Sequence, residues 1–524
     1  MKPLLSLFIT TTLVISTQTC SFADATVHKN TLDTARTVRD ETNKNIKQSD
    51  FYPTYHFAST ANLISRPTNI VRFNGQYHMF YEQNPFNTEK QNFLIGHSSS
   101  PDLLHWITKP LAITSSEDYD KDGIYSGGAI VDKEMVYLIY TGRVLKAIEG
   151  YTEIKETQNL AMSKDSINFG KSANNAVIKT APHYAGMFFS SENFRTPYIW
   201  KHNDKYYMLV GTRFEETKDG AAVLYKSDDL RNWIFVNVTA IGHKGEMGDL
   251  WENPQLITVD EEDILVISTQ SIKSKEKHFL NKHNSGWFIG KLDYNTGKFK
   301  QKGPFGLFDY GFDFYAPKIS KIEDNKYILI GNLNMPESQH PEKKDKWAGM
   351  MSIPRTIEIN DGKIYTKPFK ALEQLRTEPV YYKNQKINET KELAQIFGDA
   401  FEMELQVDLT NAKSFSIKLR VSETQETTIT YDKITNTLKL NRDKSSNPKY
   451  QITGEREASL PLNNHQLKLQ IFVDTSSVEI FANDGAIAMS SRIYPDKGST
   501  DIFFVADGEA KINYLNFFKL KSTQ

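Results

Sequence analysis

Residues 96–106 read Gly96-His97-Ser98-Ser99-Ser100-Pro101-Asp102-Leu103-Leu104-His105-Trp106, a pattern of a short strand, an Asp-containing turn and an aromatic residue that opens the next strand. Looser copies return at residues 160–169, 224–233 and 289–299. Their closing aromatic residues, Trp106, Phe169, Trp233 and Phe299, are spaced 63, 64 and 66 residues apart. A fixed period long enough for four strands is typical of the blades of a β-propeller.

The rest of the chain supports the same architecture. Strand-length runs rich in aromatic and β-branched residues, bounded by turn formers, occur at residues 76–81, 135–140, 205–210 and 326–330. Long helical periodicity is nearly absent, so the sequence predicts an all-β fold. Residues 51–370 hold five units of about 64 residues, which predicts a five-bladed β-propeller.

A second domain follows the repeats. Residues 371–395 are polar and irregular, which predicts a linker. Residues 396–524 return to strict alternation of apolar and polar residues, as in Phe401-Glu402-Met403-Glu404-Leu405-Gln406-Val407. Such strands bury one face and expose the other, so the sequence predicts a C-terminal β-sandwich.

Composition narrows the range of partners. The chain of 524 residues has 63 basic and 64 acidic residues and a formal net charge of −1. This balance gives no reason to expect nucleic acid or an anionic membrane as a partner. The only cysteine, Cys20, precedes the cleavage site described next, so a mature chain would have neither disulfides nor thiol catalysis. No cofactor motif and no metal site stand out.

The N-terminus resembles a secretory signal. Lys2 supplies a positive charge, residues 4–15 form a short apolar run, and Ala23-Asp24-Ala25 offers a cleavage site with small residues. The apolar run is too short to span a bilayer, so no membrane span is expected. The sequence therefore predicts a signal peptide at residues 1–25, a polar segment at 26–50 and a secreted protein, extracellular or periplasmic.

Several motifs resemble one enzyme family when they are taken in chain order. They lie at residues 69–86, 125–129, 194–197, 251–254, 309–317, 347–349, 353–355 and 473–485. The most specific is Trp251-Glu252-Asn253-Pro254, which resembles a Trp-Glu-Cys-Pro quartet. Together these motifs are similar to those of glycoside hydrolase family 32, the invertases, inulinases and levanases. That resemblance implies the propeller-plus-sandwich fold and a fructosyl sugar, small or oligomeric, as the ligand.

The resemblance assigns three catalytic positions, and two of them are substituted. Glu252 matches the general acid/base, and its neighbour Trp251 is expected to raise the pKa of the carboxyl by providing apolar surroundings. Arg66 in Ser65-Arg66-Pro67 stands where the family has the nucleophilic Asp. Thr196 stands where the family has the transition-state-stabilising Asp of an Arg-Asp-Pro triplet. An arginine cannot attack carbon, and it would repel a developing oxocarbenium charge.

Further residues are expected to bind the sugar by resemblance. They are Glu82, Gln83, Ser126, Gly127, Arg195, Trp251 and Asp313, with His97 as an additional polar or stacking group. Glu82 stands where the family usually has Gln. Because a buried guanidinium needs a partner, we expect Arg66 and Glu82 to pair across the pocket floor.

The sequence is compatible with two main functions. The first is a secreted protein that recognises fructosyl sugars on a hydrolase scaffold and has lost, or strongly reduced, retaining hydrolysis. The second is an active hydrolase of sucrose or fructans, with Glu252 as general acid and Glu82, Glu192 or Asp313 as a non-standard base. A purely structural or protein-binding role is a third alternative. The sequence leaves the oligomeric state open.

Overall fold

A computed structural model describes residues 25–46, 48–275, 277–323, 326–446 and 453–524. The expected signal peptide lies almost entirely outside the described residues. Within them, no helix has both the length and the apolarity to cross a membrane. The all-β prediction is confirmed, because strands dominate both domains.

One helix precedes the propeller. Helix α1 (Ala25–Ile46) occupies most of the segment for which the sequence predicts only a polar character. Its residues Leu32 and Ala35 pack against Leu94 and Leu111 of the first blade. The helix is mostly polar, and these few apolar contacts attach it to the outside of the domain.

Five sheets of about four strands each form the propeller. The first strands of successive sheets contact one another in a closed ring, so they surround the central axis. The blades are β1 (Asn62–Phe73), β2 (Gln76–Asn84), β3 (Leu94–Ser100) and β4 (Ile107–Thr108); β5 (Ile124–Asp132), β6 (Met135–Ile148), β7 (Tyr151–Ser163) and β8 (Gly170–Lys171); β11 (Arg195–His202), β12 (Lys205–Arg213), β13 (Gly220–Ser227) and β14 (Ile234–Ile241); β15 (Leu250–Val259), β16 (Glu262–Gln270), β17 (His283–Asp293), β18 (Lys298–Gln301) and β19 (Gly306–Leu307); and β20 (Tyr315–Glu323), β21 (Lys326–Asn332), β23 (Arg355–Asn360) and β24 (Lys363–Pro368).

Short elements complete this domain. Strand β22 (Trp347–Ala348) pairs in parallel with β1, which joins the fifth blade region to the first blade and helps to close the ring. The hairpin of β9 (His183–Tyr184) and β10 (Met187–Phe188) lies between the second and third blades in sequence. The 3-10 helices are His243–Gly245, Pro341–Asp345 and Lys370–Leu375.

The C-terminal domain is a β-sandwich, as predicted. Long strand β26 (Phe401–Val421) pairs with β30 (Gln466–Asp474) through residues 401–408 and with β27 (Glu426–Asp432) through residues 414–419. Strand β33 (Asp501–Leu520) runs beside both parts. Register shifts between the two parts pass the long strands from one layer to the other, and one apolar core fills the space between the layers. The strands are β25 (Arg376–Phe397), β26 (Phe401–Val421), β27 (Glu426–Asp432), β28 (Thr437–Lys444), β29 (Glu455–Ser459), β30 (Gln466–Asp474), β31 (Ser477–Ala482), β32 (Ile487–Arg492) and β33 (Asp501–Leu520).

The linker prediction for residues 371–395 requires correction. A 3-10 helix occupies Lys370–Leu375, and β25 pairs with β33 over most of its length. Strand β25 is an edge strand in which most side chains are partly or fully exposed. Its composition therefore resembles that of a loop, although its backbone pairs with β33 along one edge of the sandwich.

Buried charges join the two domains. Arg355 of the fifth blade contacts Asp309 and, across the interface, Glu479 of the sandwich. The imidazole of His56 lies between Asp474 at 2.7 Å and Glu479 at 2.9 Å. All of these side chains are almost completely buried, so the interface between the domains depends on paired charges as well as on apolar contact.

The innermost strands share a local irregularity. Register shifts fall between Arg195 and Tyr198, between Glu252 and Gln255, and between Tyr315 and Lys318. In each case the innermost strand has one residue more than its partner strand. Each of these bulges contains a residue with positive φ, and a proline follows that residue. These residues are Thr196 (φ 56°), Asn253 (φ 48°) and Ala316 (φ 49°). Such bulges re-aim the preceding side chain, and here they direct it towards the propeller axis.

Candidate functional site

Glu252 is the centre of a cluster at the propeller axis. Its Oε1 lies 3.0 Å from Arg66 Nη1 and 3.0 Å from Arg195 Nε. Its Oε2 accepts hydrogen bonds from Gln270 Nε2 at 2.9 Å and from Tyr315 Oη at 2.8 Å. We call these five residues the axial cluster. Only 1% of the Glu252 side chain is exposed, so protein groups satisfy nearly all of its acceptor capacity.

The electrostatics of Glu252 differ from the sequence-based expectation. Burial alone would raise the pKa of its carboxyl, but the charges of Arg66 and Arg195, aided by hydrogen bonds from Gln270 and Tyr315, hold the pKa far below its usual range. Glu252 is therefore a permanent carboxylate at physiological pH. A general acid has to carry a proton, and this arrangement disfavours that state.

Arg66 pairs with Glu252, so the expected Arg66–Glu82 pair is wrong. The Glu82 carboxylate instead accepts the backbone N–H of Ser126 at 2.9 Å. Burial raises the pKa of Glu82, while the nearby charge of Arg66 opposes that rise. Glu82 thus lies close enough to Arg66 to feel its charge without forming a direct ion pair.

Arg195 continues the network away from the axis. Its Nη1 donates to Glu156 at 3.0 Å, and its Nη2 donates to Asn193 Oδ1 at 2.6 Å. The guanidinium lies over the ring of Tyr125, 5.3 Å from the centroid. Arg143 donates a hydrogen bond to the Tyr125 hydroxyl, and its charge also acts on Glu156. The sequence-predicted Arg195 therefore belongs to the site and links two buried acids.

Thr196 is structural in this arrangement. Its hydroxyl donates to Arg195 O at 2.7 Å and accepts the backbone N–H of Asn253 at 2.7 Å. The side chain is fully buried, and these bonds tie the bulge of the third blade to that of the fourth. A hydroxyl committed in this way replaces the charged oxygens that the resemblance assigns to this position.

Trp251 does not line the site, which corrects the expectation drawn from the sequence. Its indole is 1% exposed and packs between the third and fourth blades with Leu209, Leu224 and Leu265. Its Nε1 donates to Met247 O at 2.9 Å. Neighbouring residues on a strand point to opposite sides, so a residue next to the axial Glu252 faces the core between blades.

The other expected sugar-binding residues have different positions. Gln83 lines a cavity of about 360 Å³ beneath α1, away from the axial cluster. Ser126 takes part through the backbone N–H that binds Glu82. Gly127 lies where β5 approaches β6 so closely that an added Cβ would be 1.9 Å from Ile139 O. Gly127 is therefore required for packing.

Three more candidates are excluded from the axial cluster. Asp313 binds Arg442 and the backbone N–H of Arg492 at the interface with the sandwich. Glu192 is exposed. His97 is buried in the first blade, 3.0 Å from His78 Nδ1, and burial together with that neighbour lowers its pKa to about 3. Of the proposed alternative bases, only Glu82 lies near the catalytic position.

Sequence reasoning missed Tyr315 and Gln270. Tyr315 has a detectable signal, because Arg195, Glu252 and Tyr315 each stand two residues before a proline on an innermost strand. That shared spacing marks the side chains that the bulges turn to the axis. Gln270 has no comparable signal, since it reaches Glu252 from the end of the neighbouring strand β16.

Lys318 is a further buried group near the site. It is 0% exposed, and its Nζ has no hydrogen-bond partner in the part of the chain that the structure describes. The ammonium lies 5.9 Å from the centroid of the Tyr198 ring. Burial lowers the pKa of Lys318 to about 7, although the charge of Glu82 acts in the opposite direction.

The fold and the motifs define a class of protein. Residues 56–368 match the family model "Glycosyl hydrolases family 32 N-terminal domain", and residues 371–519 match "Glycosyl hydrolases family 32 C terminal". The chain belongs to glycoside hydrolase family 32.

Individual relatives agree with this assignment. A sucrose-6-phosphate hydrolase of Zymomonas mobilis is 32% identical over 480 residues, which are 89% of this chain and 91% of that protein. A sucrose-6-phosphate hydrolase of Escherichia coli is 34% identical and covers 87% of this chain and 92% of its own length. Among solved structures, the beta-fructofuranosidase BmSUC1 of Bombyx mori has a TM-score of 0.82 at 28% identity, covering 94% of this chain and 99% of its own. A mutant of that enzyme has been solved in complex with sucrose.

Proposed function

We propose that the protein binds a fructosyl sugar at the axial cluster and does not hydrolyse it by the retaining two-carboxylate route. The observation that carries this proposal is the double contact of Glu252 with Arg66 and Arg195, each at 3.0 Å. The sugar class follows from the sucrose-related names of the relatives and from the shared fold.

Both the nucleophile and the acid of the retaining route are affected in this chain. A retaining glycosidase needs a nucleophilic carboxylate about 5 Å from a carboxylic acid that protonates the leaving oxygen. In this chain the nucleophile position holds a guanidinium, and the acid position holds an ion that the same guanidinium keeps deprotonated. Losses of this kind usually lower the rate by several powers of ten. Binding requires only donors, acceptors and aromatic faces, and Arg66 supplies unused donors while Tyr125 supplies a partly exposed ring.

The test is an assay of sugar release combined with calorimetric binding. The purified protein is incubated with sucrose, sucrose 6-phosphate, inulin and levan, with an active family 32 hydrolase as positive control. We expect no release and measurable binding of at least one fructoside. Release that persists after repurification and disappears in a folded Glu252→Gln variant would contradict the proposal.

A second candidate function rests on Glu82. This carboxyl is 1% exposed, and burial raises its pKa, as expected for a group that has to hold a proton near neutral pH. In that case the chain would be a hydrolase whose proton donor has moved from Glu252 to Glu82. Sugar release abolished by Glu82→Gln and retained in Glu252→Gln would favour this alternative.

We also propose that the protein is exported. The support is the N-terminal pattern of Lys2, the apolar residues 4–15 and the Ala23-Asp24-Ala25 site. N-terminal sequencing of the protein recovered from the medium or periplasm tests this proposal. A retained Met1 in a cytosolic fraction would contradict it.

A further inference from the structure

The substitutions make the sugar-binding site less negative than the family pattern. Relative to the family pattern, Arg66 and Thr196 remove two carboxylates and add one guanidinium. Arg66, Arg195 and Arg143 face the carboxylates of Glu252 and Glu156, and Glu82 also lies within reach of the Arg66 charge. An arginine side chain keeps its charge at any physiological pH, while burial disfavours the charged forms of Glu82 and Glu156, so the balance of these groups favours positive charge.

Arg66 has donor nitrogens that no protein group in the described part of the chain uses and that remain partly accessible. Its only hydrogen bond within the described residues runs from Nη1 to Glu252, while Nε and Nη2 donate to no protein group there. The side chain keeps 14% of its surface exposed, against 1% for Glu252. Its guanidinium lies over Tyr315, 5.5 Å from the ring centroid, so the aromatic ring supports it on one side while a small part of the side chain stays accessible.

A partly accessible guanidinium beside a satisfied carboxylate prefers an anionic ligand to a neutral one. The planar array of N–H donors matches the paired oxygens of a carboxylate or a phosphate, and such charge-assisted bonds are stronger than bonds to neutral hydroxyls. The neighbouring Glu82 opposes this preference only weakly, because burial disfavours its charged form. A neutral sugar hydroxyl would leave most of this donor capacity unused.

We propose that the ligand of the axial cluster is an anionic sugar whose carboxylate or phosphate binds the open nitrogens of Arg66. This inference rests on the proposed sugar-binding function and specifies the ligand class of the same site. The anionic group occupies the space that the nucleophile and the anomeric centre share in an active hydrolase. The arginine at position 66 then selects an anionic ligand in addition to removing the nucleophile of the hydrolysis reaction.

A series of ligands that differ only at C1 tests this inference. Fructose has a hydroxymethyl group at C1, 2-keto-D-gluconate has a carboxylate there, and fructose 1-phosphate has a phosphate ester. Calorimetric titration of the full-length mature protein should show at least one anionic member binding about ten- to hundredfold more tightly than fructose. Preference for the carboxylate or for the phosphate identifies which group the site selects, and either result supports the inference.

Two variants assign the effect to Arg66. Arg66→Gln should abolish the preference while fructose binding remains, because glutamine keeps polar donors without the charge. Arg72→Gln is the matched control, since Arg72 lies on the same strand and is exposed. It should leave the preference unchanged.

The results of these titrations distinguish failure of the inference about anionic ligands from failure of the proposed sugar-binding function. Equal affinity for fructose and both anionic analogues would overturn the inference and leave the proposed function standing. A preference for anions that survives Arg66→Gln would also overturn it. The absence of binding to sucrose, fructans and all three C1 analogues would overturn the proposed function itself.

Discussion

The guanidinium of Arg66 donates a hydrogen bond of 3.0 Å to the carboxylate of Glu252. In the assignment proposed from the motifs, the first residue takes the position of the family's nucleophile and the second takes that of its acid. The substitution therefore does more than remove a nucleophile, because the new side chain binds the remaining catalytic group and fixes its charge. In the proposed function, this one change disables both halves of the retaining mechanism.

Restoring both aspartates should restore chemistry. In the double variant Arg66→Asp/Thr196→Asp, the nucleophile returns, and Glu252 loses one of the two guanidinium charges that lower its pKa. We expect fructose release from sucrose at least about a hundredfold above either single variant, since each group acts only with the other present. A coupled assay for fructose measures the rate. Equal rates in the double and single variants would show that other features block hydrolysis.

Loss of the Glu252 charge should destabilise the protein. In Glu252→Gln, Arg66 and Arg195 remain close together without their common counter-ion, and breaking a buried ion pair in this way costs about 3–5 kcal/mol. Chemical denaturation gives the free energy of unfolding. The comparison variant Tyr315→Phe removes only one hydrogen bond to the same carboxylate and should cost about 1 kcal/mol. Similar losses in both variants would contradict the central role of the charge.

Stability should fall in alkaline solution because of His56. Burial would lower the pKa of this imidazole, but hydrogen bonds and charges from Asp474 and Glu479 raise it to about 9. The pKa in the folded state is above the value of 6.5 in the unfolded chain. The resulting stabilisation is complete below about pH 6.5 and is lost as the pH rises through about 9. Its size is on the order of 3 kcal/mol.

The measurement is the difference in unfolding free energy between the wild type and His56→Gln at several pH values. We expect a large difference near about pH 6 and a small one near about pH 10. A difference that is independent of pH would mean that folding does not raise the pKa of His56.

Lys318 should make the stability of the protein rise with pH, which is the opposite of the effect of His56. Its buried amine has a pKa of about 7, below that of a lysine in the unfolded chain, so protonation opposes folding. The penalty is complete below about pH 7 and disappears as the pH approaches about 10.5. Lys318→Met should therefore stabilise the protein by about 1–3 kcal/mol near pH 6 and by much less near pH 10. Destabilisation at both values would indicate that the amine has a binding partner.

The fold is largely predictable from the sequence, while the organisation of the site is not. A blade repeat near 64 residues leaves a regular spacing of aromatic residues, because each blade has to build the same strand and turn. Strand β25 escapes prediction because an exposed edge strand has no apolar alternation to reveal it. Motif matching identifies Glu252 and Arg66 individually. Their contact depends on bulges that orient side chains from different blades, and pairwise contacts of this kind leave no trace in one sequence.

The error at Trp251 has a similar origin. Adjacency in a motif suggests a shared environment, but alternation along β15 sends Trp251 and Glu252 to opposite sides. The pKa of Glu252 therefore falls instead of rising, because the groups that surround the carboxylate include two arginines.

The protonation state of Glu252 is the most direct test of this account. The protein is labelled with carbon-13 at the glutamate side-chain carboxyls, and the Glu252 signal is assigned by its absence in Glu252→Gln. Its chemical shift is then followed by NMR between about pH 5 and pH 8. We predict the shift of an ionised carboxylate throughout this range in the wild type. A titration midpoint within the range would mean that Glu252 can still carry the proton that hydrolysis requires, and it would contradict the account.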